Sequence, residues 1–379
     1  MDHEESLGPY ARQVEASLAD LAKRDAVARI WAKDPTLWKS DPGHQQIIRN
    51  SLGWLTVMPT VRQRAANLAG FAVEVGQAGY THVLLLGMGG SSLCPDVLRL
   101  TFGRAKGFPT LAVLDTTDPA SVRALEQSVD LSRTLFIVAS KSGTTPEITA
   151  FYQYFFARIL ALRRDRAGEQ FIAITDPGTV LDHAGATAKF RHVFLNPPDI
   201  GGRYSALSFF GMVPATLIGV DILRLLDRAE RMAQACAASV PIRDNPGAWL
   251  GAVMGALAKA GRDKLTFICS PEIASFGYWV EQLIAESTGK DGTGILPVEG
   301  EVVGGPGAYG NDRAFVYLRF ETSRGRNLDE AVKTLERAGY PVVTIRLQDL
   351  YELGAEFFRW EFATAVAGAV IGVNPFDQP

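Results

Sequence analysis

Short apolar runs alternate with longer amphipathic stretches through most of the chain, and this pattern predicts strands separated by helices. The runs of the first half cover residues 83–86, 111–114, 135–139, 171–175 and 193–195, and those of the second half cover residues 265–269, 314–320 and 341–347. Uninterrupted apolar strands divided by helix-length stretches are typical of parallel sheets covered on both faces. We therefore predict an α/β fold of two domains, each a mainly parallel sheet sandwiched by helices.

The remaining stretches predict helical segments outside the two sheets. Val14, Leu18, Leu21 and Ala28 recur at helical spacing within residues 9–34 and predict one amphipathic opening helix. The predicted organisation is an N-terminal helical extension at 1–60, a first α/β domain at 61–215, a helical connection at 216–262 and a second α/β domain at 263–379.

Composition is that of an ordinary globular protein and excludes several partners. The chain has 379 residues, 47% hydrophobic and 21% charged, so two domains are expected from length alone. A formal net charge of −3 argues against a broad nucleic-acid surface. The longest uncharged run, residues 204–220, contains Gly211 and Pro214 and is followed by Asp221, which predicts a buried segment rather than a membrane span.

The cysteines and the N-terminal residues bear on the cellular compartment in which the protein is expected. Cys94, Cys236 and Cys269 are far apart and odd in number, which favours a reducing compartment and does not fit zinc-ligand spacing. The first six residues are acidic and do not resemble a secretory signal. We therefore expect a cytoplasmic protein.

A hydroxyl-rich turn follows the strand predicted at 135–139. The turn contains Ser140, Lys141, Ser142, Gly143, Thr144 and Thr145. Pro146 then opens a helix whose apolar positions are Ile148, Phe151, Tyr152, Phe155, Ile159 and Leu162, so Thr145 is the expected N-cap. Hydroxyls, free backbone N–H groups and the positive end of a helix converge here, which favours an anion site; an ordinary helix cap is the alternative.

A glycine cluster follows the strand predicted at 83–86 and reads Gly-Met-Gly-Gly-Ser-Ser over residues 87–92. It resembles half of a dinucleotide-binding fingerprint, and Asp115 even stands where a ribose-binding acid would be, but Ser92 replaces the third glycine. Because neighbouring parallel strands end at one edge of a sheet, this turn and the hydroxyl-rich turn are expected to share a crevice. Two such turns favour a sugar phosphate over a dinucleotide.

Two further groups are candidates for binding and chemistry. Gly201 and Gly202 place Arg203 in a loop before an apolar run, which predicts either a ligand-facing guanidinium or a solvated side chain. Gln282 and Glu286 are four residues apart at the margin of a helix whose inward stripe is Trp279, Leu283 and Ser287. Glu286 is therefore a candidate general base, with Glu281 as its competitor.

Taken together, residues 87–95, 140–145, 201–205, 282–290 and 374–378 resemble ordered motifs of the phosphoglucose isomerase family, so the likeness spans about residues 80–379. The resemblance implies two domains of the sugar-isomerase (SIS) type. Residues 30–35 and 52–55 further resemble the isomerase part of bacterial transaldolase/glucose-6-phosphate isomerase fusions, although no transaldolase barrel is present.

The resemblance implies interconversion of glucose 6-phosphate and fructose 6-phosphate through a cis-enediol, without a metal or organic cofactor, in a cytoplasmic homodimer. It assigns catalysis to Glu286 and Arg203. It places the phosphate on Ser140, Lys141, Ser142, Thr144, Thr145 and Ser91, and the sugar beside Gly90, Gly202, Gln282 and Arg313.

Two departures from the family pattern concern ring opening. The family has a histidine before Ala-Phe, where this chain has Arg313, and none of its five histidines falls there. The family also has a lysine a few residues beyond the Asn-Pro-Phe-Asp-Gln motif, whereas this sequence stops at Pro379. We expect a longer natural chain, and weak ring opening by the sequence as it stands.

Three other functions stay open at this point. They are a sugar-phosphate-binding module with weakened catalysis, a dual phosphoglucose/phosphomannose isomerase and, most distantly, a nicotinamide enzyme.

Overall fold

The structure is a computed structural model that describes residues 3–323 and 326–378. The first two residues of the acidic N-terminus and Pro379, on which two sequence expectations depend, lie outside that range. The chain divides into two compact units, here called the inserted unit (Thr56–Arg224) and the terminal unit (Met1–Leu55 with Leu225–Pro379). The described residues of each unit form a five-stranded sheet, and the predicted fold class is confirmed.

The described strands are β1 (His3–Ser6), β2 (His82–Gly87), β3 (Thr110–Leu114), β4 (Thr134–Ala139), β5 (Phe171–Thr175), β6 (His192–Leu195), β7 (Lys264–Cys269), β8 (Leu296–Val298), β9 (Arg313–Phe320) and β10 (Val342–Leu347). The described α-helices are α1 (Ala11–Lys23), α2 (Ala26–Trp31), α3 (Pro42–Arg49), α4 (Val57–Gln77), α5 (Leu93–Phe102), α6 (Pro119–Ser128), α7 (Pro146–Arg163), α8 (Val180–Thr187), α9 (Phe209–Leu217), α10 (Ile222–Ala235), α11 (Pro246–Lys259), α12 (Phe276–Thr288), α13 (Arg326–Arg337) and α14 (Leu353–Ile371).

The sheet of the inserted unit has the order β3-β2-β4-β5-β6, and all its neighbouring strands are parallel. The chain leaves β2 towards one side of the sheet and crosses back to β4 on the other. The turns that follow β2 and β4 therefore diverge, which opens a crevice at the carboxyl ends of these strands. Gly87 pairs with Ala139, so both turns begin at the same level.

The sheet of the terminal unit has the order β1-β10-β9-β7-β8. Strands β8, β7, β9 and β10 are parallel neighbours in that order, which corresponds to the order β3, β2, β4 and β5 of the other sheet. Strand β1 adds antiparallel to β10. The prediction of a purely helical N-terminal extension missed β1, which joins this sheet and ties the start of the chain to its C-terminal part.

Helix α7 covers the inserted sheet with the apolar stripe that its spacing predicts. Ile148, Phe151, Phe155 and Ile159 are buried in one cluster with strand residues of β2, β4 and β5. Leu162 was predicted to belong to this stripe, but it is 56% exposed because it lies in the last turn of the helix.

Helices α11 and α14 pack closely in the terminal unit, and both are buried along most of their length. Gly247, Gly251 and Gly255 recur every four residues on α11 and face α14. A Cβ atom added to Gly251 would lie 2.4 Å from the carbonyl oxygen of Ala363. Since backbone cannot yield as a flexible side chain can, the helices approach to this distance only because a glycine stands there.

The opening helix is interrupted, contrary to the sequence prediction. Asp25 has a left-handed backbone (φ +49°) and separates α1 from α2, which turns the following residues. Val14, Leu18 and Leu21 are buried as predicted, whereas Ala28 is exposed because the stripe restarts in a new phase after the break.

The uncharged run at 204–220 contains α9, whose nine residues are all buried, with Pro214 inside the helix. The expected buried segment is therefore confirmed. Among the described residues, no helix is both long enough and apolar enough to cross a membrane.

Gly251→Ala should lower the free energy of unfolding by about 1–3 kcal/mol, because its methyl group would overpack α11 against α14. The control is Gly70→Ala on α4, where an added Cβ meets nothing within 4 Å. That variant should be neutral or more stable by up to about 1 kcal/mol, the helix-propensity difference. Urea titration of both variants tests the contrast, and equal stabilities would contradict the packing argument.

Candidate functional site

The hydroxyl-rich turn after β4 is internally hydrogen-bonded. The hydroxyl oxygens of Ser140 and Thr145 are 3.0 Å apart, and the N–H of Gly143 donates to Ser140 Oγ (3.1 Å). The N–H and the hydroxyl of Thr144 both donate to Ser142 Oγ, at 3.2 and 2.9 Å. The four hydroxyls that the sequence singled out are thus gathered in one turn.

Helix α7 begins at this turn, and its N-terminus has no side-chain cap. Thr145 occupies the N-cap position with extended backbone, but its hydroxyl contacts Ser140 instead of the first-turn N–H groups. These N–H groups and the positive end of an 18-residue helix are therefore left for an anion. Gly143 has φ +69°, and an added Cβ would lie 3.0 Å from Leu181 N, so the turn requires glycine.

Lys141 has a different partner from the one expected. Its Nζ donates to a carboxylate oxygen of Asp176 and to the carbonyl oxygen of Pro198 (2.8 Å). Asp176 directly follows β5 and is 8% exposed. Burial, opposed by Lys141 and assisted by Asp199, raises the pKa of the Asp176 carboxyl. The ammonium charge is therefore largely balanced by its neighbour, and neutral donors dominate the turn.

Asp176 was not among the predicted site residues. The available signal was its position at the end of the strand predicted at 171–175, at the same sheet edge as Ser140 and Lys141. Which of several acids in this part of the chain would pair with Lys141 could not be derived from spacing.

The glycine turn after β2 is closed by its own serine. Gly89–Ser91 form a 3-10 turn, and the buried Ser92 donates its hydroxyl to the carbonyl oxygen of Gly89 (3.0 Å). Ser91 remains half-buried at the crevice. Ser92, which stands where a dinucleotide site would have its third glycine, stabilises the turn through this hydrogen bond. Asp115 follows β3, and the partial burial of its carboxyl, and then the charge of Asp96, raise its pKa.

The loop that carries Arg203 packs directly on this glycine turn. An added Cβ at Gly90 would lie 2.1 Å from the carbonyl oxygen of Gly202 and 3.1 Å from Arg203 N. Ser205 donates its hydroxyl to Gly202 O (2.7 Å) and approaches Gly90 O (3.4 Å). Arg203 is 5% exposed, so the solvated alternative is excluded. The inserted unit thus brings Gly90, Gly202 and Arg203 together at the edge where both turns begin.

In the terminal unit, α12 presents Gln282 and Glu286 together. Trp279, Leu283 and Ser287 are buried as the inward stripe, which leaves Gln282 and Glu286 half-buried at its margin. The Nε2 group of Gln282 donates to Glu286 Oε1 at 2.9 Å.

Glu281, the competing candidate for the base, is exposed. It lies near Glu299, whose pKa is raised by burial and then by the charge of Glu281. The geometry therefore favours Glu286 over Glu281.

The C-terminal motif is fastened to the end of α12. Lys290, 9% exposed at its side chain, donates Nζ to the carbonyl oxygens of Asn374 (2.8 Å) and Asp377 (2.9 Å) and to a carboxylate oxygen of Asp377. His44 Nδ1 lies 3.2 Å from both Asp377 Oδ2 and Asn374 Nδ2. The largely buried ammonium group of Lys290 therefore anchors residues 374–377, which belong to the last of the motifs in the family resemblance.

Arg313, predicted to line the sugar, starts β9 and so lies at the opposite end of that strand from a carboxyl-edge site. Its guanidinium pairs with Glu301 (2.8 Å), donates to Thr266 Oγ1 (2.8 Å) and stacks over Tyr309 (5.4 Å to the ring centroid). None of these partners is another candidate residue. Within residues 3–323 and 326–378, no group of three or more His, Cys, Asp or Glu side chains is arranged to hold a metal ion.

Topology and site together define the class of the protein. A parallel five-stranded sheet in the inserted unit, a second sheet that is parallel apart from β1, and a hydroxyl-rich turn at the switch point are typical of the SIS-type fold, which solved phosphosugar isomerases share. A family model described as phosphoglucose isomerase matches residues 55–319, which is more than half of the chain. The chain therefore belongs to the phosphoglucose isomerase family.

Individual relatives agree over most of their length. The chain is 30% identical to a probable glucose-6-phosphate isomerase of Methanococcus maripaludis, over 79% of this chain and 76% of the relative. It is 29% identical to a glucose-6-phosphate isomerase of Rubrobacter xylanophilus, over 97% and 93%. The crystal structure of a glucose-6-phosphate isomerase from Chlamydia trachomatis has the same fold, with a TM-score of 0.82, 18% identity and coverage of 99% and 85%.

Gly90→Ala should lower the free energy of unfolding by roughly 2–3 kcal/mol, since its methyl group would meet the backbone of the neighbouring turn. Gly202→Ala is the matched control because it probes the other side of the same contact, where an added Cβ meets nothing within 4 Å. Chemical denaturation should show the control within about 1 kcal/mol of wild type. A Gly90→Ala variant as stable as the control would show that the two turns separate freely.

Lys290→Met should lower the free energy of unfolding by roughly 3 kcal/mol, because it leaves the Asp377 carboxylate without its buried cation. Lys39→Met is the control: Lys39 pairs with Asp291, whose side chain is 63% exposed, and such surface pairs contribute at most about 1 kcal/mol. Thermal or urea unfolding distinguishes the two. Equal effects would contradict the anchoring of the C-terminal motif by Lys290.

Proposed function

We propose that this protein is an aldose–ketose isomerase that interconverts glucose 6-phosphate and fructose 6-phosphate. The observation that carries the proposal is the half-buried Glu286, hydrogen-bonded by Gln282, in a chain of the phosphoglucose isomerase family. The relatives named as glucose-6-phosphate isomerases support the substrate.

The phosphate group is proposed to bind the turn at 140–145. Ser140, Ser142, Thr144 and Thr145 supply hydroxyls, and the uncapped start of α7 supplies backbone N–H groups. Ser91 adds a further hydroxyl. Lys141 is paired with Asp176, so we propose that it mainly fixes the conformation of the turn and adds little net positive charge for the phosphate.

The proposed chemistry moves one proton between adjacent carbons. Glu286 removes the proton from C2 of the open-chain aldose, and the C1 oxygen gains a proton to give the cis-enediol. Glu286 then delivers a proton to C1 while the C2 hydroxyl loses its own, which yields the ketose. Arg203 stabilises the charge that develops on the oxygens, and no step calls for a metal or organic cofactor.

Gly90, Gly202, Gln282 and Arg313 remain the proposed sugar-side residues. Arg313 has the weakest support of these, because its guanidinium is engaged by Glu301 and Thr266. The same observation favours a second candidate function, a sugar-phosphate-binding module with weakened ring opening. A mannose 6-phosphate activity of the same site would differ only in pocket shape.

We also propose a cytoplasmic homodimer, with a transaldolase domain present in a fusion form. The distant, odd-numbered cysteines support the reducing compartment, and all three thiols belong to half-buried or buried residues.

A coupled assay on fructose 6-phosphate, which follows the formation of glucose 6-phosphate, tests the proposed function directly. It should run beside a thermal-shift titration with 5-phosphoarabinonate as an enediol mimic. Turnover with stabilisation supports the isomerase, whereas stabilisation without turnover supports the binding module. A shift with NAD in place of the mimic would favour the nicotinamide alternative.

Glu286→Gln should reduce isomerisation by at least roughly a hundredfold, because it removes the base and keeps its shape. Binding of 5-phosphoarabinonate should stay within a few-fold of wild type, since the phosphate-binding groups are intact. Glu281→Gln, one residue away and exposed, should retain normal turnover. Near-normal turnover of Glu286→Gln would remove Glu286 from its proposed role.

A further inference from the structure

The hydrogen bond between Gln282 and Glu286 is explained better by an effect on the Glu286 carboxylate than by a contribution to the stability of α12. Gln282 Nε2 donates to Glu286 Oε1 (2.9 Å), while the amide oxygen of Gln282 is buried and accepts no hydrogen bond among the described residues. A glutamine selected for stability would satisfy both ends of its amide, because a buried polar atom without a partner costs free energy. Only the end that faces Glu286 is satisfied.

The orientation of this amide is set by the carboxylate. Rotating it by half a turn would place its oxygen against Glu286 Oε1, and two acceptors repel. The donor end of the amide therefore faces the Glu286 carboxylate, and a hydrogen bond from an N–H group to a carboxylate is among the stronger ones in a protein.

The backbone beneath the pair is fixed. Leu283, Ile284 and Ser287 are fully buried, so α12 cannot turn or fray at this point. The four-residue spacing places both side chains on the same helical face. Gln282 thus restrains the rotation of the carboxylate from a rigid support.

We infer that Gln282 is a positioning residue for the base. By holding Oε1 it keeps the Glu286 carboxylate in one orientation for the proton transfer. This inference rests on the proposed function of Glu286. It differs from a sugar-contacting role, in which Gln282 would act on the substrate directly.

The two roles predict different kinetics for Gln282→Met, a variant of similar length and volume without a strong donor. Loss of positioning should lower kcat by about tenfold to a hundredfold while KM changes less than about threefold. Loss of a sugar contact alone would instead raise KM by a larger factor than it lowers kcat.

A second variant and a control keep the test decisive. Gln282→Glu keeps the shape but replaces the donor with a second carboxylate that repels the first, so it should lower kcat in the same way. Glu281→Met makes a comparable change at the adjacent exposed position and should leave kcat unchanged.

A spectroscopic readout is independent of turnover. In a ¹⁵N spectrum the side-chain amide signal of Gln282, assigned by its absence in Gln282→Met, should be displaced in Glu286→Gln, because the carboxylate that accepts its hydrogen bond is then replaced.

An unchanged kcat in both position-282 variants, with Glu286→Gln inactive, would overturn the inference and leave the proposed function standing. Wild-type protein without isomerase activity would overturn the proposed function itself.

Discussion

The parallel pairing of β2 with β4 is the constraint on which the inserted unit's site depends. Because Gly87 is opposite Ala139, the chain leaves both strands at one level of the sheet edge, and two turns of different character start side by side. The close approach of the Gly202 carbonyl to Gly90 then sets the position of Arg203. A buried guanidinium is costly to place, and the contact between the two turns fixes the backbone from which this one extends.

The electrostatics of this edge follow from that arrangement. Lys141 and Asp176 carry the charges that could dominate the electrostatics of the hydroxyl-rich turn, but they form an ion pair with each other. A phosphate at this turn would meet hydroxyls, N–H groups and a helix end, all of them neutral groups with fixed dipoles. Such a site selects by geometry more than by net charge, in keeping with a protein whose formal charge is −3.

Much of this could be predicted from the sequence, because the determinants are local. The buried strands of both sheets are apolar runs, and the hydroxyl turn, the glycine turn and the Gln282–Glu286 pair each lie within a few residues of one another. What escaped prediction depends on distant partners or weak patterns. Strand β1 is short and carries Glu4 and Glu5, and β8 contains Pro297, as edge strands tolerate.

The pairs of Lys141 with Asp176 and of Lys290 with Asp377 join residues 35 and 87 positions apart, which no spacing rule connects. The break at Asp25 was missed for a different reason. A left-handed residue within a helical pattern leaves the hydrophobic spacing almost intact and changes only its phase.

The antiparallel pairing of β1 with β10 has a consequence for the order in which the chain can fold. Strand β1 is held by residues 342–345, so during synthesis it has no partner until those residues have left the ribosome. The inserted unit is continuous in sequence and lies between them, so it meets no such delay. Its sheet can form before that of the terminal unit is complete, and β1 stays unpaired during that time. The two glutamates of β1 suit that interval, since charged side chains on an unpaired strand discourage association with other chains.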